Sequence, residues 1–94
     1  MLGFERGNLC LIITSKDPQA VSTPLMQELD LTITKLSGIG MFTGKERYIL
    51  LTAIHAKEIP RTKATLSRID PESFVVILPV NEVLGGRYKL KSPP

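Results

Sequence analysis

The chain is poor in the residues that build several kinds of site. Its 94 residues include one cysteine, one histidine and no tryptophan, and aromatic residues make up 5% of it. The single cysteine, Cys10, excludes an intrachain disulfide and a cysteine-rich metal site. The longest apolar runs, 48–51 and 74–78, are far too short to span a bilayer, and the N-terminus has no basic-then-apolar signal pattern. We therefore expect a cytosolic environment.

Composition predicts one small globular domain over residues 1–94. Hydrophobic residues make up 43% of the chain and charged residues 22%, as in folded cytosolic proteins. The core is expected within about 9–86, with 1–8 and 87–94 as flexible ends or extra pairing segments. A net charge of +3 is weak evidence for anionic partners. Because the few aromatics do not interleave with the basic residues, we expect no nucleic-acid partner.

Hydrophobic periodicity and turn residues divide the chain into six elements. They are strands at 9–14, 31–36, 47–56 and 73–78, and helices from Pro18 to about Leu29 and from Pro60 to Ile69. Asp17 is placed to cap the first helix, and Asp70 before Pro71 ends the second. Pro79 is expected to end the last strand.

Each helix shows one apolar face. In the first helix this face holds Val21, Leu25, Met26 and Leu29, but Pro24 means that the helix either bends or begins only at Pro24. The second helix is expected to bury Ile59, Thr62, Leu66 and Ile69, and to expose Lys57, Arg61, Thr65 and Arg68.

The order β-α-β-β-α-β predicts an α+β, ferredoxin-like fold with two helices on one face of a four-stranded antiparallel sheet. Three of its strands are apolar on both faces, so roughly six apolar side chains point away from the helices. Leaving them in water would forgo on the order of 10 kcal/mol, at about 1.5–3 kcal/mol each. Something must cover that face, and another copy of the chain is the simplest cover. We therefore expect a homo-oligomer.

A glycine-rich turn between the second and third strands is the strongest candidate site. Its glycines allow positive φ angles and can leave amide groups free to bind an anion. A strand follows the turn, so it is not a dinucleotide-binding fingerprint. A plain turn between strands would need the glycines equally. The candidate ligand-binding residues of the turn are Gly38, Gly40, Phe42, Thr43, Gly44, Lys45 and Arg47.

The remaining candidates are weaker. Asn81, Glu82 and Arg87, with the glycines at 85–86, would approach a neighbouring subunit's glycine turn, or form a solvated C-terminal segment. His55 is read as structural or interfacial, because no second histidine or cysteine accompanies it to bind a metal. Cys10 is read as an inert core residue. No serine-histidine-acid or paired-carboxylate constellation is present, so we expect no enzyme, no metal and no cofactor.

Two stretches of the chain carry a family resemblance. Residues 34–44 read TKLSGIGMFTG, and residues 57–86 read KEIPRTKATLSRIDPESFVVILPVNEVLGG. Over about residues 9–86 the chain resembles the C-terminal cytoplasmic domain of YitT-type bacterial membrane proteins, with their G-x-G-x-Y-T-G turn, D-P-x-A-F-V segment and closing D-V-x-E-V-x-G. It departs from that pattern at Thr32, Phe42, Thr62 and Ser73. The hydrophobic helices of the family are missing, so the chain is either cut from a membrane protein or a stand-alone relative.

The resemblance implies a role without naming a ligand. The YitT-type domain has no known function, but kinship with PII-like proteins implies a trimer whose loop between strands two and three contacts ligands. We expect a ligand-sensing or regulatory module at the inner face of the cell membrane, joined to a membrane segment of a longer parent protein. It would bind a small anionic molecule near the turn at 38–47. The alternative is a purely structural oligomerisation module without a small ligand.

Overall fold

The computed structural model of the chain describes residues 5–83 and confirms the ferredoxin-like α+β fold. The sheet is antiparallel, with strand order β2-β3-β1-β4. A short 3-10 turn, Ala56–Glu58, precedes the second helix. The elements are β1 Glu5–Thr14, α1 Pro18–Leu29, β2 Thr34–Ile39, β3 Glu46–Ile54, α2 Ile59–Ile69 and β4 Phe74–Val83. Among these described residues, no helix is long and apolar enough to cross a bilayer.

Helix α1 runs without interruption through Pro24. Asp17 caps its first turn by accepting a hydrogen bond from the Gln19 amide at 3.3 Å, and Pro18 occupies the first helical position, where no amide is needed. The alternative of a shorter helix starting at Pro24 is therefore wrong. Asp30, with φ of 55°, ends the helix in the left-handed region.

Helix α2 packs against α1 through more polar groups than its sequence pattern indicates. Thr62 and Leu66 are buried as predicted. Thr65 is buried too, so the prediction that it lies on the solvent-exposed side of the helix is wrong. The cause is Glu28 of α1, which accepts a hydrogen bond from the Thr65 hydroxyl at 3.4 Å and pairs with Arg68 at 2.9 Å. This contact lies between the helices and turns Thr65 inward.

All four strands differ from their predicted bounds. β1 begins at Glu5 instead of Leu9, and β3 spans Glu46–Ile54 instead of 47–56. β2 begins at Thr34, although the apolar alternation starts at Leu31, which packs into the core just before the strand. β4 continues through Pro79 to Val83, so the prediction that Pro79 ends the strand is wrong. Since β4 is an edge strand, the missing amide of a proline need not interrupt its pairing with β1.

The core lies between the helices and one face of the sheet. Alternate residues of β1 and β3 point to this side, so Cys10, Ile12, Leu50 and Ile54 are almost completely buried. Helix residues complete the cluster: Val21, Leu25, Leu29 and Leu66, with Leu31 of the following segment. Burial also raises the pKa of the Cys10 thiol to about 11, which fits the expected inert role.

The other face of the sheet, which we call the open face, is apolar across its strands. Partners in an antiparallel sheet point to the same side, so the register arranges these side chains in rows. The rows are Leu78, Leu9 and Ala53, then Val76, Leu11 and Leu51, then Phe74, Ile13, Ile49 and Leu36. Phe74 is 63% exposed. The predicted apolar side chains facing away from the helices are thus confirmed, and the register places Leu51, not Leu50, among them.

One buried side chain offers a direct test of the core. Thr52 is 4% exposed, and its hydroxyl has no hydrogen-bond partner among the described residues. Because an unpaired buried hydroxyl is costly, Thr52→Val is expected to stabilise the domain by about 1 kcal/mol, raising Tm by roughly 4–8 °C. Thermal denaturation followed by circular dichroism measures the change.

A second buried threonine provides the control for that test. The Thr62 hydroxyl donates to the Glu58 carbonyl at 2.8 Å. Thr62→Val removes a satisfied group of the same size and should give no gain in stability. An equal rise in Tm for both variants would contradict the explanation, because it would reflect added apolar surface alone.

Candidate functional site

The candidate site is the hairpin turn that joins β2 to β3. Ile39 pairs with Glu46 at the last rung of the ladder. Beyond it, the Gly40 amide donates to the Lys45 carbonyl at 2.8 Å, and the Gly44 amide donates to the Gly40 carbonyl at 2.7 Å. These bonds close a compact turn around residues 41–43.

The glycines of the turn serve different purposes. Gly44 has a φ of 72°, which a residue with a side chain rarely adopts. At Gly40 the constraint is space, since an added Cβ would lie 3.0 Å from the Thr43 hydroxyl oxygen and 3.8 Å from Arg47 Nε. At Gly38 a Cβ would meet Ile49 at 3.5 Å, an ordinary contact. Gly40 is therefore the position at which a side chain would crowd the Thr43 hydroxyl and approach Arg47.

Thr43 and Arg47 converge on this space beside Gly40. A hydroxyl and a guanidinium N–H are both donors that suit a phosphate or carboxylate oxygen. Arg47 is half-buried and Lys45 is exposed. The Lys45 amide already donates to the Thr43 hydroxyl at 3.2 Å, which fixes the position of that side chain. The arrangement places two donors suited to a small anion at the surface of the hairpin.

The backbone amides of the turn are less available for binding an anion than the sequence suggests. Those of Gly40, Gly44 and Lys45 donate within the turn itself, to Lys45, Gly40 and Thr43. These hydrogen bonds stabilise the turn, so the three amides are not free to bind a ligand in this conformation. The side chains of Thr43 and Arg47 are thus better anion-binding groups than these three amides.

Phe42 and its neighbour Met41 form the tip of the hairpin. Their side chains are 102% and 93% exposed. Phe42, one of the predicted ligand-binding residues, therefore presents its whole side chain to solvent. Met41 was not singled out by sequence reasoning, although an apolar residue in a tight turn is a usable signal.

Sequence reasoning also missed three residues beside the turn. The Tyr48 hydroxyl donates to a Glu46 carboxylate oxygen at 3.4 Å, and Lys35 Nζ lies 5.6 Å from the centre of the Tyr48 ring. The pairing of β2 with β3 brings Lys35 and Tyr48 close, which a correct register would have predicted. Glu46 places one negative charge at the base of the turn.

The C-terminal candidates within β4, Asn81 and Glu82, lie away from the hairpin of their own chain. Asn81 is exposed on β4, at the sheet edge opposite β2. The register also places it at the other end of the sheet, because Val80 pairs with Gly7 whereas Phe74 pairs with Ile13. Glu82 follows Asn81 in the same strand, and Arg87 lies outside the described residues. Only a neighbouring copy could bring Asn81 to such a turn.

His55 has a structural position. Its amide donates to a Glu58 carboxylate oxygen at 2.8 Å, and its carbonyl accepts from the Glu58 amide at 2.9 Å. These bonds shape the junction between β3 and α2. Within residues 5–83, no group of three or more histidine, cysteine, aspartate or glutamate side chains is arranged to hold a metal ion.

Comparison with protein families and sequences identifies relatives of the chain. Residues 32–85 match the model of a family described as "Uncharacterized protein conserved in bacteria (DUF2179)". The chain is 36% identical over 88 residues to the UPF0750 membrane protein YvjA of Bacillus subtilis. It is 31% identical over 88 residues to an uncharacterized protein in the cccA 5' region of a Bacillus species. The matches cover 94% of this chain, but only 31% and 58% of those two relatives.

Comparison with solved structures supports the same fold. A functionally unknown protein from Pediococcus pentosaceus superposes with a TM-score of 0.75 at 16% identity, over 89% of this chain and all of that one. A DUF2179 protein from Eubacterium ventriosum superposes with a TM-score of 0.60 at 21% identity, over 74% and 96% of the two chains. At these identities the likeness concerns the fold alone.

Proposed function

Because the chain belongs to the DUF2179 family of uncharacterized bacterial proteins, we propose that it is a regulatory module of a bacterial membrane protein that senses a small anionic ligand. The family match and the relatives named UPF0750 membrane proteins confirm the resemblance to the YitT-type C-terminal domain. The chain spans about a third of the length of YvjA. A membrane segment of a longer parent protein is therefore part of the proposal, with this domain on the cytoplasmic side.

The convergence of Thr43 and Arg47 beside Gly40 carries the proposal. The Thr43 oxygen and Arg47 Nε both lie within 4 Å of the place where a Gly40 side chain would begin. A half-buried guanidinium is partly shielded from water, which strengthens its attraction for an anion relative to a fully solvated charge. Lys45, two residues before Arg47, adds a second cation.

Self-association is the second part of the proposal. Arg47 pairs with Gly38 and points to the same side as Ile49, so it lies at the rim of the open face. A second copy covering the open face would therefore end close to the anion site. Ligand binding and assembly would then influence each other, since any ligand that prefers the assembled state stabilises it. Three copies is the number that the PII-like kinship implies.

The same assembly gives the C-terminal residues a role. Asn81 and Glu82 sit at the edge and end of the sheet remote from their own hairpin. In an oligomer they would reach the hairpin of a neighbouring copy, together with Arg87. The site would then be completed by residues from two chains.

The test is ligand-induced stabilisation. A thermal-shift screen with inorganic phosphate, nucleotides and cyclic dinucleotides should find a probe that raises Tm, because a ligand at 100 times its Kd adds about 2.7 kcal/mol. The double variant Lys45→Gln/Arg47→Gln is expected to lose that shift while its own Tm stays within a few degrees, because Lys45 is exposed, Arg47 is only half-buried, and charges at the surface contribute little to folding.

A charge-matched control separates a site from general charge effects. Lys57→Gln/Lys63→Gln removes two exposed cations at the second helix, away from the hairpin. This control should keep the full ligand-induced shift. Equal losses in both double variants would contradict a specific site at the hairpin.

A structural oligomerisation module is the alternative, and a specific observation favours it. The open face is apolar over three rows, whereas three of the turn amides are occupied within the turn. If no probe shifts Tm and Lys45→Gln/Arg47→Gln behaves as wild type in the full-length protein, the structural module is the better account.

A further inference from the structure

The tip of the β2–β3 hairpin carries apolar side chains that its own fold does not use. Met41 and Phe42 are 93% and 102% exposed, and the turn is held by the backbone of Gly40, Gly44 and Lys45. Polar residues at 41 and 42 would close the same turn without exposing apolar surface to water. The exposed pair therefore indicates a contact with something outside the chain.

Cations lie directly behind this tip. Lys45 sits opposite Gly40, and Arg47 follows two positions further along β3. Lys35 lies further from the tip, in β2, with its Nζ 5.6 Å from the centre of the Tyr48 ring. Glu46 is the only acidic residue between 34 and 48. The hairpin thus combines an apolar end with a net positive stem.

We propose that this hairpin docks on an anionic lipid bilayer, with Met41 and Phe42 inserted and Lys45 and Arg47 at the headgroups. Apolar burial and attraction to anionic lipid are the two contributions that hold peripheral segments at a membrane surface. The inference goes beyond the proposed function and requires neither self-association nor a soluble ligand.

The position of the hairpin tip suits this contact. Met41 and Phe42 lie in the compact turn beyond the last rung of the ladder, and Lys45 lies opposite Gly40 at the base of that turn. Interfacial segments bury their apolar side to a depth of about 5–10 Å. With Phe42 inserted, Lys45 and Arg47 on the returning side of the turn would lie close to the headgroups.

The absence of tryptophan from the chain makes the contact directly observable. Phe42→Trp places a single reporter at the tip, and Met26→Trp places one on α1 as a control. With vesicles of phosphatidylcholine and phosphatidylglycerol, the tryptophan at 42 should shift its emission to the blue and be quenched by brominated acyl chains. The tryptophan at 26 should do neither, and vesicles of phosphatidylcholine alone should bind more weakly.

Vesicle sedimentation of the whole protein tests the two contributions separately. Met41→Ser/Phe42→Ser should weaken binding to the anionic vesicles by about tenfold or more. Lys45→Gln/Arg47→Gln should weaken it by about fivefold per charge and reduce its salt dependence. The control Lys57→Gln/Lys63→Gln should bind as wild type.

Several results would overturn the inference. These are no binding of the wild-type protein to anionic vesicles, unchanged binding of Met41→Ser/Phe42→Ser, or equal blue shifts at positions 42 and 26. Loss of self-association in Met41→Ser/Phe42→Ser, seen by light scattering without vesicles, would instead make the tip a contact between copies. A negative thermal-shift screen leaves these results unaffected, so the two proposals fail independently.

Discussion

Leu51→Asp is expected to convert the protein into a folded monomer, whereas Leu50→Asp is expected to unfold it. The two leucines are neighbours in β3 but point to opposite sides of the sheet. Leu50 is 1% exposed and packs in the core, while Leu51 is half-buried on the open face. A single step along the strand therefore separates the two effects.

The size of each effect follows from where the charge is placed. At Leu50 the carboxylate would be buried without a partner, which costs several kcal/mol out of a total stability of about 5–15 kcal/mol. At Leu51 the carboxylate is accessible to water in a single chain. It becomes buried only when another copy covers the open face, so the cost of burying the charge weakens self-association and not folding.

Light scattering with size-exclusion chromatography, together with circular dichroism, distinguishes these states. The wild-type protein should be oligomeric at micromolar concentration, and Leu51→Asp should elute as a folded species of 10.4 kDa. Ser67→Asp, an exposed position on α2, is the control and should assemble as wild type. A stable wild-type monomer would remove the basis for self-association.

Asp70→Ala is expected to destabilise the domain by about 1–3 kcal/mol, which lowers Tm by roughly 4–8 °C for each kcal/mol. Asp70 is 4% exposed and accepts a hydrogen bond from the buried Thr14 hydroxyl at 2.5 Å. That bond joins the end of β1 to the end of α2. Lys16 supports the same junction by donating to the Ile69 carbonyl at 2.9 Å.

The conservative variant shows whether the hydrogen bond is responsible. Asp70→Asn keeps an acceptor for Thr14 and should lose much less stability than Asp70→Ala. In a double-mutant cycle, Thr14→Val should cost less in the Asp70→Ala background than in the wild type, because the bond is already absent. Purely additive losses would mean that the Thr14–Asp70 bond contributes nothing measurable.

The order of elements could be predicted because local signals and tertiary structure agree over most of this chain. Asp17 and Pro18 start α1 as the capping rules require. The bounds of β2 could not be predicted, because apolar alternation reports burial and not strand pairing, and Leu31 is buried ahead of the ladder. The prediction that Pro79 ends β4 failed for a related reason. The effect of a proline depends on whether its strand lies at the edge of the sheet, which is a property of the whole sheet.

The candidate site was predictable in position but not in chemistry. The glycines locate the turn, yet only the structure shows that Gly40 matters for space and Gly44 for its φ angle. The glycines of the turn were expected to allow positive φ angles, and among the described glycines only Gly44 adopts one. The convergence of Thr43 with Arg47 depends on side-chain directions that sequence spacing does not give.

The position of β1 in the sheet has a consequence for how the chain folds. β1 is the first strand, yet it lies between β3 and β4, and Glu5 pairs with Val83. Its two partners come from the middle and the far end of the described chain, so its contacts are distant in sequence. Such topologies fold slowly, because long loops must close before the pairing stabilises them. During synthesis, β1 cannot complete its pairing until β4 has left the ribosome. In that interval its apolar side chains remain exposed, and the chain is most prone to aggregation.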